Sequence, residues 1–154
     1  MAGLWHGVAM LANRLIDGLY TEAMLLADEV RAYFDDVGRD ARDLLDPMDR
    51  VLFSCESLKV TTRLMHVIAW LLTQRAVEVG ELTADGARES SRRLGGVVES
   101  NEDVLNRLPA EARRFVDASI VLHTRVARLE AGLDDDLPAA SPARQLLSRL
   151  QQSF

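Results

Sequence analysis

Residues Asp46–Gly80, DPMDRVLFSCESLKVTTRLMHVIAWLLTQRAVEVG, decide the fold. Asp46 offers an N-cap side chain, Pro47 suits the first helical position, and Asp49 places an acid near the positive end of a helix dipole. No breaker intervenes before Gly80, a natural stop, so the stretch predicts a helix over 47–79, the longest element of the chain. Its apolar residues fall into two stripes. One runs Val51, Cys55, Leu58, Thr62, Met65, Ala69, Leu72, Ala76 and Val79 in strict steps of four and three, with small members that let a neighbouring helix approach closely. This stripe is expected to be the core seam. The other, Phe53, Val60, Leu64, Val67 and Leu71 with Trp70 beside it, lies roughly 200° away at about 100° per residue. Five such side chains left in water would forgo on the order of 10 kcal/mol, at ~1.5–3 kcal/mol each. That face therefore needs a cover, from the N-terminal arm, the tail helix or another protein chain, and with another chain as the cover Phe53, Val60, Leu64, Val67, Trp70 and Leu71 are the expected protein interface.

Outward from this helix the pattern stays helical. Leu15, Leu19, Ala23, Leu26, Val30, Tyr33 and Val37 form one stripe ending at Gly38. Thr83 and Asp85 can open a shorter helix that stops at Gly95-Gly96, and Glu99–Asn106 has the polarity of a helical turn. Pro109 suits the start of a helix through Ala131, closed by Gly132, with the stripe Ala112, Phe115, Ser119, Leu122, Val126, Leu129 and Leu133. Three aspartates, 134–136, and Pro138 then break the pattern before Ser141-Pro142, which can cap a short tail helix bearing Leu146, Leu147 and Leu150, with Phe154 beyond its end at Gln152. The expected organisation is an N-terminal arm or helical extension (1–14), a bundle (15–132), and a flexible acidic hinge with a short C-terminal helix (133–154). The tail's Leu146, Leu147 and Leu150 are a second expected contact. The fold class is all-α, an antiparallel three- to four-helix bundle around a long central helix.

Composition bounds the function. At 154 residues the chain is the size of one domain, and 48% apolar with 27% charged residues is the balance of a globular protein. A net charge of −6 opposes phosphate, which argues against nucleic acid. Cys55 is the single cysteine, so no intramolecular disulfide forms and a cytoplasmic location is expected. The N-terminus has neither the basic cluster of a signal peptide nor the apolar run of a membrane span. His6, His66 and His123 fall on three segments with no ligand spacing between them. Cys55 and His66 share a face yet sit ~16 Å apart along the helix, too far to hold one ion. No nucleophile elbow, phosphate loop or dinucleotide fingerprint occurs, so neither catalysis nor a cofactor is expected.

The central segment ESLKVTTRLMHVIAWLLTQRAVEVGELT, Glu56–Thr83, resembles the signature region of the RcdA family, the alphaproteobacterial regulators of CtrA degradation. YTEAMLLADEVRAYFDD, Tyr20–Asp36, is similar to that family's first helix, and LPAEARRFVDASIVLHTRVARLE, Leu108–Glu130, to its last. Residues 95–106 and the tail after Gly132 depart from the pattern, which leaves the choice of cargo open. The resemblance implies a helical adaptor, often dimeric, without enzymatic activity. It implies delivery of cell-cycle regulators and other cargo to the ClpXP protease, docking on ClpX primed by a CpdR-like regulator, and cooperation with a PopA-like cyclic-di-GMP effector. Two alternatives remain: a structural homodimer, and a small-molecule sensor with His66, His123 and a carboxylate lining a cavity.

Overall fold

The computed structural model describes residues 2–136 together with 150 and 153. Three long helices carry the fold: α1 (Ala2–Asp35), α3 (Pro47–Glu78) and α6 (Ala110–Asp136). Short helices fill the connections: α2 (Val37–Asp43), α4 (Ala84–Ala87), a 3-10 turn at Ser90–Arg92, and α5 (Glu102–Leu105). The chain is thus an all-α bundle around a long central helix, as its periodicity predicts.

Local signals place most boundaries. Pro47 opens α3 and Gly80, with φ +81°, lets the chain turn away from its end. The Thr83 hydroxyl accepts from the Gly86 amide at 2.9 Å, and the Asn101 side chain accepts from the Asp103 amide at 2.8 Å. The helix expected from Thr83 to Gly95 shrinks to the single turn of α4, and residues 93–101 run without helix. α6 continues through Gly132 rather than stopping there. Gly38 is not a C-terminal stop but lies inside α2, pressed on α1. A Cβ at that position would meet the Tyr33 carbonyl oxygen at 2.8 Å and the Tyr33 ring at 2.9 Å.

The helix directions follow from cross-contacts. Asp17 pairs with Arg75 and Phe34 stacks on Phe53, so α1 and α3 are antiparallel. Glu22 meets Arg125 and Glu29 meets Arg114, so α1 and α6 are antiparallel too. Asp49 meets Arg107 and Arg63 meets Ser119, so α3 and α6 run parallel. The expected antiparallel order therefore holds for α1 but not for the other two. A parallel pair needs a connection that returns along the whole length of α3, about 48 Å at 1.5 Å per residue. The segment between Val79 and Pro109 is that return strap.

The core fills the space among the three helices. Leu19, Ala23, Val30 and Tyr33 of α1 face Ala112, Phe115, Leu122 and Val126 of α6, all buried as their stripes predict. One end is aromatic, with Tyr33, Phe34, Phe53 and Phe115 at centroid separations of 5.0–6.3 Å, within the range of favourable edge and tilted pairs. Trp70 is buried toward the other end. Gly38→Ala is expected to lower unfolding stability by about 1–3 kcal/mol through the clash with Tyr33. Gly18→Ala, where a Cβ meets nothing within 4 Å, should raise it by about 0.5–1 kcal/mol. Thermal and urea melts of the two variants check both signs.

Candidate protein-interaction surface

The two stripes of α3 exchange roles relative to the sequence expectation. Phe53, Val60, Leu64, Val67, Trp70 and Leu71 are all buried between α1 and α6. They form the core and are not an outer face. Val51, Cys55, Leu58, Met65, Ala69 and Leu72 face water instead, with Leu58 70%, Met65 64% and Leu72 47% exposed. The cause lies in two residues that break the apolar reading. Glu56 and Arg63 complete the inward stripe as 53-56-60-63-67-70, and both are buried. Their charges disguise the core side in the sequence. The large side chains also belong to that side, and they fill the volume between two flanking helices better than Cys55, Thr62, Ala69 and Ala76 can.

Burying those charges is possible because the strap supplies partners. Arg63, fully shielded from solvent, donates through Nε and Nη2 to the Val98 carbonyl at 2.9 and 2.6 Å. Nη2 also donates to the Ser100 hydroxyl at 2.6 Å, and Nη1 to Ser119 of α6 at 3.3 Å. Ser100 in turn donates to Glu56 at 2.5 Å, and Lys59 reaches both Glu56 and the Glu99 carbonyl. Burial pushes the Arg63 pKa down from its ordinary value while Glu56 pulls it back. Further along, the Leu94 amide donates to Glu130 at 3.0 Å, and Arg93 pairs with Glu130 and Asp134. The strap is fastened to α3 at one point and to α6 at another.

One consequence is an unusual outer face. Between Val51 and Gln74, α3 has three charged residues, and Glu56, Lys59 and Arg63 all point into this network. Every exposed position in that span is apolar, small, hydroxyl-bearing or His66. Met65 also borders a cleft of about 310 Å3 between α1 and α3, where Val30, Phe34, Leu64 and Ile68 deepen the apolar surface. A surface without charge beside exposed Leu and Met is the composition of a protein contact.

The other candidate residues carry less. The tail positions Leu146 and Leu147, like the helix expected over 141–152, lie outside the described residues, while Leu150 is half exposed. Cys55 is exposed on α3. Among the described residues, no three His, Cys, Asp or Glu side chains gather as a metal site would need. His66 lines a shallow groove with residues 91–95 of the strap, and His123 is buried on α6. Sequence reasoning missed the Arg63 clasp altogether. The available signal was an arginine in phase with Phe53, Val60, Val67 and Trp70.

These features define a class: an all-α bundle whose parallel helix pair is locked by a strap over buried charges, with one long helix apolar on both sides. Residues 8–154 match the family described as "Protein of unknown function (DUF1465)". The crystal structure of RcdA from Caulobacter crescentus CB15 is similar at a TM-score of 0.62 and 34% identity, over 75% of this chain and 88% of that one. No sequence among curated proteins matches the chain. The chain belongs to the RcdA family and to the DUF1465 family that spans it.

Removing one partner of a buried ionic network strands the others, so Arg63→Ala is expected to cost about 3–5 kcal/mol in urea unfolding. Lys59→Ala, at the exposed edge, should cost about 1 kcal/mol or less. A pH effect follows from His123. Burial, then His66, then Arg63 lower its pKa from the ordinary value, while Glu130 opposes them. The unfolded chain therefore takes up the proton first as pH falls, so stability is full above ~6.5 and declines below it. His123→Leu should flatten that decline between about pH 6.5 and 5, read as Tm against pH.

Proposed function

We propose that this protein is a non-catalytic adaptor bundle of the cytoplasm, using no cofactor, that helps deliver cargo such as cell-cycle regulators to the ClpXP protease. The observation that carries the reading is the charge-free outer face of α3, on a chain that belongs to the RcdA family. In the proposed scheme ClpX acts with a CpdR-like regulator, and a PopA-like effector assists. A tether of this kind needs no chemistry, because raising the local concentration of cargo at the protease strengthens capture ~10²–10⁴-fold.

The outer stripe is the proposed contact surface, shared by self-association as a homodimer and by protein partners. A helix face ~10 Å wide and ~45 Å long falls short of the ~800 Å2 that each side of a stable interface usually buries. The adjoining cleft between α1 and α3 supplies more. One face serving both uses makes them competitive, so cargo should dissociate the dimer in proportion to its affinity. The second reading, a purely structural homodimer, seals the same face permanently.

The test uses Leu58→Glu with Met65→Glu, both at exposed positions. The variant should keep the wild-type Tm within a few degrees, sediment as a monomer, and lose capture of ClpX, CpdR-like or PopA-like partners from native lysate. By contrast, Leu64→Glu with Val67→Glu should unfold the bundle. In reconstituted degradation with ClpX, ClpP and a CpdR-type regulator, wild-type protein should lower the apparent KM for captured cargo. Equal degradation rates with and without it, for every captured cargo, would reject the adaptor and leave the structural dimer.

A further inference from the structure

α1 and α6 stand apart on the side of the bundle away from α3, each packed closely on α3 itself. Between them lies a groove of about 340 Å3, lined by residues of these two helices alone. Its middle is apolar. Leu25 and Val121 are 60% and 56% exposed there, beside Ala118 and over the buried Leu122. Both walls follow helical rows in steps of three and four, 22, 25 and 29 on α1 and 114, 118, 121 and 125 on α6. Two such rows side by side offer the groove into which a third helix seats its own ridge.

The walls carry opposite charge. Glu22 and Glu29 of α1 meet Arg125 and Arg114 of α6, so the two pairs bridge the groove as rungs above and below its apolar middle. All four side chains are about half exposed, and ion pairs so placed contribute little and exchange partners readily. An incoming helix must part both rungs. A purely apolar helix would leave four charges unpaired at its edges, and one with like charges on both flanks would meet repulsion at one wall. A helix with acids on the flank toward α6 and Lys or Arg on the flank toward α1 returns every charge to an opposite partner, while Leu25 and Val121 leave water for its apolar seam. From Arg114 to Arg125 the row spans ~17 Å, and a helix ~10 Å wide laid along it covers far less than the ~800 Å2 that each side of a stable interface buries. A permanent seal by a second copy needs more area, and the long helices of a copy are already packed on one another. A helix of another protein, held weakly and released, fits the footprint.

We propose that the groove between α1 and α6 is a docking site for one amphipathic helix of a partner protein, apolar along its seam, acidic on the flank toward Arg114 and Arg125, and basic on the flank toward Glu22 and Glu29. The groove opens away from the outer face of α3, so both surfaces can be filled at once. Docking here does not require the adaptor role, and purified protein alone reports it, so either can fail without the other.

Three synthetic helical peptides of ~18 residues sharing one Leu seam serve as probes, with Glu on one flank and Lys on the other, Glu on both, or Lys on both. At physiological salt, where long-range attraction is screened, the mixed peptide should bind the full chain roughly tenfold tighter than either of the others, read by fluorescence anisotropy. Leu25→Glu with Val121→Glu should keep the wild-type Tm and sedimentation yet weaken the mixed peptide roughly tenfold, whereas Leu58→Glu with Met65→Glu should leave its binding unchanged. Glu22→Lys with Glu29→Lys makes both walls basic and should pass the preference to the peptide with Glu on both flanks. Equal affinity for the three peptides, binding that survives Leu25→Glu with Val121→Glu, a preference unmoved by the lysine variant, or no binding below millimolar peptide would overturn the proposal. Hydrogen exchange at 22–29 and 114–125 that slows as protein concentration rises without peptide would also overturn it, assigning the groove to a second copy.

Discussion

The guanidinium of Arg63 keeps its positive charge at a site that water does not reach, and much of the architecture answers to it. An arginine cannot shed its proton to escape burial, so its donors must be met where they stand. A carbonyl and a hydroxyl from the strap and a hydroxyl from α6 meet them, with Glu56 balancing charge through Ser100. Val98, Ser100 and Ser119 lie 35 to 56 residues from Arg63 in sequence. The arginine therefore ties three separate stretches of chain to one point and favours this arrangement over any rival with similar apolar burial. Apolar side chains slide over one another at little cost, whereas a buried cation leaves few alternatives.

Much of the fold is legible in the sequence, for reasons that are local. Pro47 and Gly80 mark the ends of α3, Thr83 and Asn101 cap the turns they precede, and the stripe from Ala112 to Leu133 identifies the inner side of α6. Each signal acts within a few residues and needs no knowledge of the neighbours. The burial side of α3 is a different matter. Both of its stripes repeat with the same alternation, so periodicity cannot choose between them. The residues that decide, Glu56 and Arg63, look like solvent-facing charges until Val98, Ser100 and Ser119 are brought to them. Helix direction is hidden for the same reason, because only the long return of the strap makes α3 and α6 parallel.

The clasp and the outer face have one origin. Turning Glu56, Lys59 and Arg63 inward supplies the polar network that fixes the strap, and it also strips the opposite side of the helix of charge. A solvent-facing helix normally carries ion pairs that keep it soluble. Here those charges hold the connection, so the exposed side keeps Leu58, Met65 and Leu72 with nothing ionic to interrupt them. Stability of the interior and stickiness of the exterior are consequences of the same three residues.

The parallel arrangement of α3 and α6 also governs the order in which the chain can assemble. α1, α2 and α3 form a hairpin whose contacts are closer in sequence than those between α1 and α6, and nearer contacts close sooner. α6 must wait until the whole return has been made, a loop of about thirty residues whose closure entropy is lost before any reward. During synthesis the hairpin leaves the ribosome first, with Val60, Val67 and Arg63 still lacking the helix that covers them. For that interval the nascent chain shows apolar surface on both sides of α3, and a free arginine then favours solubility until the strap and α6 arrive to claim it.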